Sequence, residues 1–121
     1  MGSSSLGRDA VLLQLTKILA SPRFVNAERL RRFLGFVVEE SQSGRGDQLK
    51  EYVIGVEVYG RGESYDPRVD AIVRVEAGRL RTRLEQYYDR EGRNDPILIS
   101  LPKGCYAPTI VERGGIAAFG Q

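Results

Sequence analysis

Four arginines, Arg74, Arg79, Arg81 and Arg83, fall within ten residues, and Glu76 is the one acid among them. A guanidinium stays charged at any physiological pH and presents its donors in a planar fork. That fork matches a phosphate or the edge of a guanine. Such a cluster points to recognition of an anionic surface rather than to bond-making chemistry. Arginine also dominates the basic residues of the whole chain: of 18 Lys and Arg, only Lys17, Lys50 and Lys103 are lysines. Codon bias in a GC-rich genome explains that preference, and so does selection for forked contacts. Position has to decide between them.

Other chemistries lack their residues. The chain has no histidine, which removes His-dependent nucleophilic catalysis and His metal ligation. Cys105 is the single cysteine, so neither an internal disulfide nor a Cys-rich zinc site is possible. It sits near Lys103 with no base to activate it. Carboxylates are plentiful, but no spacing singles out an acid/base pair. Gly44-Arg45-Gly46 and Gly60-Arg61-Gly62 do not end in Gly-Lys-Ser/Thr and are not phosphate loops. The sequence reads as non-enzymatic, with no catalytic residue, no metal site and no cofactor.

The elements that must position the arginines follow from periodicity. A first helix is expected over Arg8 to Ala20, its stripe formed by Leu12, Leu15 and Leu19 with Val11 and Ile18 beside them. Ser21-Pro22 stops it. Asn26 offers a cap for a second helix, in which Leu30, Phe33, Leu34, Val37 and Val38 recur at helical spacing. Gly44 and Gly46 end that helix, and Asp47 offers the next cap. A third helix is expected from about Gln48 to Tyr59 with Leu49, Val53 and Val56 inward; its β-branched content also allows a strand. Gly55 weakens that helix by up to about 1 kcal/mol relative to alanine. After a loop, Asp70 caps a fourth helix running to about Arg90. Two β-type runs, Ile97 to Leu101 and Tyr106 to Val111, flank Pro102-Lys103-Gly104-Cys105 and read as a hairpin. Pro108 confines its strand to an edge.

On the fourth helix, about 100° per residue puts Val73, Ala77, Leu80, Leu84 and Tyr87 on one core face. Val75, Gly78 and Thr82 point away from it. Arg79 and Arg83 lie on one shoulder, Arg74 and Arg81 on the other. That cross-section fits a major groove about 12 Å wide, with flanks on phosphates and crest on bases. Gly78 permits close approach, and Val75 suits a thymine methyl. An ordinary solvated face remains the other reading, with Glu76 or Glu85 pairing to arginines a turn away. Helices, an arginine-rich helix and then a hairpin are the order of a winged helix-turn-helix.

The run Arg74-Val75-Glu76-Ala77-Gly78-Arg79-Leu80-Arg81-Thr82-Arg83-Leu84, followed by Leu101-Pro102-Lys103-Gly104-Cys105-Tyr106, resembles the recognition helix and wing of OmpR/PhoB-type winged-helix domains. From Glu28-Arg29-Leu30-Arg31-Arg32-Phe33-Leu34 through Leu49-Lys50-Glu51-Tyr52, the chain is similar to a bacterial winged-helix domain. That domain stands at the N-terminus of tetratricopeptide-repeat and adenylate-cyclase-like signalling proteins. The resemblance covers about residues 8 to 110. It implies that Arg79 and Arg81 contact DNA from the helix, and that Glu76 and Gly78 lie at base- or phosphate-facing positions. It further implies that Lys103 meets DNA near the wing tip, that Lys50 starts the preceding helix at a phosphate, and that Tyr106 packs under the wing. The OmpR/PhoB type usually opens with a small β-sheet, whereas this chain opens with a helix.

The expectation is a mainly α fold with a C-terminal β-hairpin, acting as the double-stranded DNA-binding module of a bacterial transcription regulator. Arg74, Arg83, Lys50 and Lys103 are expected on phosphates, and Arg79, Arg81, Thr82 and Val75 on bases, with Gly78 at the close approach. A homodimer or head-to-tail pair on DNA is expected, with any signalling domain outside this chain. The alternative is a winged-helix interaction or dimerisation module that binds no DNA, which the net charge of only +2 favours. The domain is expected over 8–111, after a disordered start (1–7) and before a flexible tail or linker (112–121). Its 121 residues suffice for one domain, and 41% hydrophobic with 28% charged residues is the balance of a globular chain. No apolar run approaches the roughly 18 residues of a membrane span, and no signal peptide pattern is seen, so a cytoplasmic location is expected.

Overall fold

The computed structural model describes residues 7–113. The expected disordered start and flexible tail therefore lie almost wholly outside the described residues. Four helices, α1 (Arg8–Ala20), α2 (Glu28–Gln42), α3 (Glu51–Glu57) and α4 (Ile72–Asp89), precede strands β1 (Ile97–Ser100) and β2 (Thr109–Glu112). The fold is mainly helical with a C-terminal antiparallel hairpin in the place of a wing.

A single core joins these elements. Leu30, Phe33, Leu34, Val37 and Val38 of α2 are buried as their spacing requires, against Val73, Ala77, Leu80, Leu84 and Tyr87 of α4. Burying side chains of this size stabilises by roughly 1.5–3 kcal/mol each, which selects the α2–α4 register. On α1 the buried stripe is Val11, Leu15 and Ile18, with Leu12 and Leu19 flanking it. It is rotated from the leucine-centred expectation because Gln14 also turns inward, its amide donating to Asp95 Oδ2 at 2.8 Å.

Three local expectations are corrected. Asn26 does not cap α2. Phe24 dips into the core, the chain turns through Ser21–Phe24 and Ser21–Val25 backbone bonds, and Ala27 becomes the N-cap without a side-chain bond. Asp47 does not cap the third helix either. A 3-10 turn at Gly46–Gln48 drops Leu49 into the core, and α3 starts only after Lys50. The inner residues are consequently Ile54 and Val58 with Leu49, and Val53 and Val56 are only half-buried. Asp70 acts from one position earlier than a cap: Ala71 is the N-cap of α4, while Asp70 Oδ1 accepts the Ile72 amide at 3.1 Å.

The hairpin pairs Ile97 with Glu112 and Ser100 with Thr109. Its second strand begins at Thr109, three residues later than expected. Tyr106 leaves the ladder because its ring packs 6.4 Å from Phe33, and Pro108 cannot donate to a ladder. The domain also runs past the expected boundary at Val111. Glu112 is paired, and the Arg113 guanidinium donates to the carbonyls of Asp95 (2.9 Å), Gly92 (2.8 Å) and Arg93 (3.1 Å).

Gly55, expected only to weaken α3, makes room. A side chain there would overlap the ring of Tyr65, which stacks on Tyr52 at 5.6 Å.

Candidate nucleic-acid interface

The outer face of α4 is built from Val75, Gly78, Arg79 and Thr82, all exposed. Val75 leaves 48% of its surface in water. No neighbouring atom lies within 4 Å of a Cβ placed at Gly78, so the middle of this face is open for close approach. The Thr82 hydroxyl donates to the Gly78 carbonyl at 3.2 Å, which fixes its rotamer on the same face.

The four arginines of α4 are held in different ways. Arg74 Nη1 donates to Glu51 Oε2 at 2.7 Å and to the Pro67 carbonyl at 2.9 Å, tying the start of α4 to α3 and to the preceding loop. Arg79 Nη1 donates to Glu76 Oε2 at 2.8 Å. Arg83 Nη1 donates to the Arg23 carbonyl at 2.6 Å, across to the turn after α1. Arg81 Nε and Nη2 donate to the carbonyls of Leu101 (3.0 Å) and Pro102 (3.2 Å) in the wing. Two donors of this guanidinium are thus spent on the protein's own wing, a positioning contact that its expected place on a base did not include.

Glu76 departs further. Its side chain is only 3% exposed, so it sits beneath the helix face rather than on it. At about 100° per residue Glu76 falls about 20° from Tyr87 on the helical wheel, a signal that places it at the rim of the core. The buried Tyr59 hydroxyl has no hydrogen-bond partner. Burial first, and then the Glu76 charge, push the Tyr59 phenol far above its ordinary range against the opposing charges of Arg29 and Arg32. Arg29, named in the sequence only within the run that carries the winged-helix resemblance, lies over the Tyr59 ring at 5.8 Å. It shares a shallow recess with Glu28, Glu76, Arg79 and Arg83 between the start of α2 and α4.

The wing completes the face. Lys103 is exposed at its tip, beside Gly104, whose φ of +86° makes the turn. Lys50, the exposed N-cap of α3, shares a recess with Gly104 and Cys105. The structure thus places Lys50 beside the hairpin turn that follows Lys103. What fixes the wing was missed by sequence reading. The Tyr88 hydroxyl donates to the Ile97 carbonyl at 2.7 Å and accepts the Ile99 amide at 3.0 Å, standing in for a third strand on the free edge of β1. Burial pushes that phenol up to about 12, so it keeps the proton it donates. Behind it, Asp95 accepts from Gln14, Tyr87 and Lys17, joining α1, α4 and the hairpin at their far end. Among the described residues no helix is long and apolar enough to cross a membrane, and no group of acidic or Cys side chains has the makings of a metal site.

No protein family, curated protein or solved structure matches this chain.

Proposed function

We propose that this domain binds double-stranded DNA, with α4 in the major groove and the hairpin on the adjacent backbone or minor groove. One observation carries the reading. The outer face of α4, with Val75, Gly78, Arg79 and Thr82, is free of the protein's own body, and the wing is tied to the same helix by Arg81. A helix about 10–12 Å across, presented on one side and flanked by cations, suits a major groove of about 12 Å. Arg74, Arg83, Lys50 and Lys103 supply the phosphate contacts, Arg79, Thr82 and Val75 the base contacts, and Arg81 holds the wing in register with the helix. One such unit spans few base pairs, so two copies on repeated half-sites form the working complex. Within this reading the protein is a cytoplasmic bacterial transcription regulator. The test is selection of bound sequences from a random duplex library at moderate salt. Enrichment of a short motif is expected; recovery of unselected sequence at every salt concentration would overturn the reading.

A second reading, docking on an acidic or apolar protein surface, draws on two details. Val69 is 83% exposed in the loop before α4. Glu51 and Glu76 also neutralise part of the arginine field. Binding to a protein partner with no duplex selected would favour it.

A further inference from the structure

Glu76 and Arg79 form an unusual pair: a carboxylate almost withdrawn from water whose ion-pair partner on the same helix is largely exposed. Glu76 is 3% exposed, Arg79 is 64% exposed, and Oε2 of the first lies 2.8 Å from Nη1 of the second, one turn away. Taking a carboxylate out of water is costly, and an ion pair to an exposed arginine returns little stability, so this arrangement is a poor stabilising device. It is a good aiming device. The Glu76 oxygen is fixed by the core around it, and it pins one end of a side chain that otherwise carries about 2 kcal/mol of rotamer entropy.

We infer that Glu76 is a positioning residue that holds Arg79 by Nη1 and so presents its Nε–Nη2 fork to the N7 and O6 acceptors of a guanine. The inference rests on the DNA-binding reading above and deepens it by naming the base and the residue that sets the choice. Two physical reasons favour a base over a phosphate. A bidentate contact rewards a fork held in one orientation, whereas a phosphate can be met by a mobile point charge. In addition, the Glu76 carboxylate beside Arg79 repels a phosphate and offsets the attraction that the guanidinium exerts on any backbone. The same carboxylate therefore sharpens specificity while lowering indiscriminate affinity.

The experiment compares wild type, Glu76→Gln and Arg79→Lys on three kinds of duplex: the selected motif, the motif with each guanine replaced singly, and a scrambled sequence. Wild type is expected to lose about tenfold or more for one particular guanine, the scale of a bidentate base contact. In Glu76→Gln that penalty is expected to fall severalfold while affinity for the scrambled duplex rises. Arg79→Lys sits on an exposed position and folds regardless of what becomes of Glu76→Gln. It keeps the charge but not the fork, and is expected to lose the guanine preference with little loss on scrambled DNA. A guanine penalty unchanged in both variants overturns the inference and leaves DNA binding intact. Equal losses on all three kinds of duplex overturn it as well, since they mark a merely structural pair. A wild type that selects no duplex overturns the DNA reading itself, and the inference with it.

Discussion

Arg81 and Leu101 are twenty residues apart in the chain, yet the guanidinium Nε of one lies 3.0 Å from the carbonyl oxygen of the other. With the neighbouring bond to Pro102, this contact sets the angle between helix and hairpin, because it grips the first residues after β1. Tyr88, two turns further along α4, holds the strand itself. The hairpin is therefore fastened to the arginine-rich helix at two places, two turns apart.

Replacing Arg81 by alanine tests whether it tethers or reads. Loss of the two bonds is expected to cost about 1–3 kcal/mol of stability, since the donor is charged and part-buried. Amide exchange at Lys103 and Gly104 is expected to accelerate. Affinity for selected and scrambled duplexes should then fall together as the wing loosens. A loss confined to one base pair, with exchange unchanged, would return Arg81 to the role its sequence position suggested.

The Asp95 carboxylate joins three elements and gives the fold an acid limit. Burial alone pushes this carboxyl up, but the bonds from Gln14, Tyr87 and Lys17 and the Lys17 charge outweigh it and hold it below its ordinary range. Its folded value is thus below the unfolded value of about 3.9. The contribution is complete above that unfolded value and is lost as pH falls through the folded one. Asp95→Asn is expected to cost about 2 kcal/mol in urea unfolding at pH 7, the scale of bonds to a charged group. The gap between variant and wild type should narrow steadily below about pH 4. A pH-independent gap would show that packing, not the charge, supplies the contribution.

The residues that were legible in the sequence are those whose signal is periodic. Val73, Ala77, Leu80, Leu84 and Tyr87 recur on one side of a helix, and the same spacing exposed Val75, Gly78 and Thr82 on the other. The Gly104 turn marked the hairpin. What was not legible depends on contacts between elements far apart in sequence. The partner of Gln14 is Asp95, and that of Arg83 is the carbonyl of Arg23; neither can be read from spacing. Gln14 did carry a hint, as the one amide inside an apolar stripe. Helix starts were misjudged where the core overrode capping chemistry, at Asn26 and Asp47, because Phe24 and Leu49 had to reach the interior.

Gly55 separates propensity from packing. Intrinsic preference says that Gly55→Ala should stabilise α3 by up to about 1 kcal/mol. The Tyr65 ring occupies the space the methyl needs, so the substitution must displace it and break its stack on Tyr52. Gly55→Ala is therefore expected to destabilise by about 1–2 kcal/mol in the otherwise native chain. In a Tyr65→Ala background the sign should reverse, to a gain of about 0.5–1 kcal/mol. Thermal unfolding of the four proteins in this cycle checks both signs. The same effect in both backgrounds would mean that the ring is not what excludes a side chain at position 55.

Lys50 and Lys103 isolate the electrostatic share of binding. Both are exposed, so replacing either by alanine should change stability by no more than about 0.5 kcal/mol. On DNA, each is expected to act only through the counterions it displaces. The logarithm of affinity should then depend less steeply on the logarithm of salt concentration, by about one unit for each lysine removed. The loss should be equal for the selected motif and for scrambled duplex, because a phosphate carries no sequence information. Arg79→Lys is the mirror case: it preserves the charge, so its salt slope should match wild type while its sequence preference falls. If Lys103→Ala leaves the slope unchanged, the hairpin tip does not reach the backbone, and the wing serves only to brace α4.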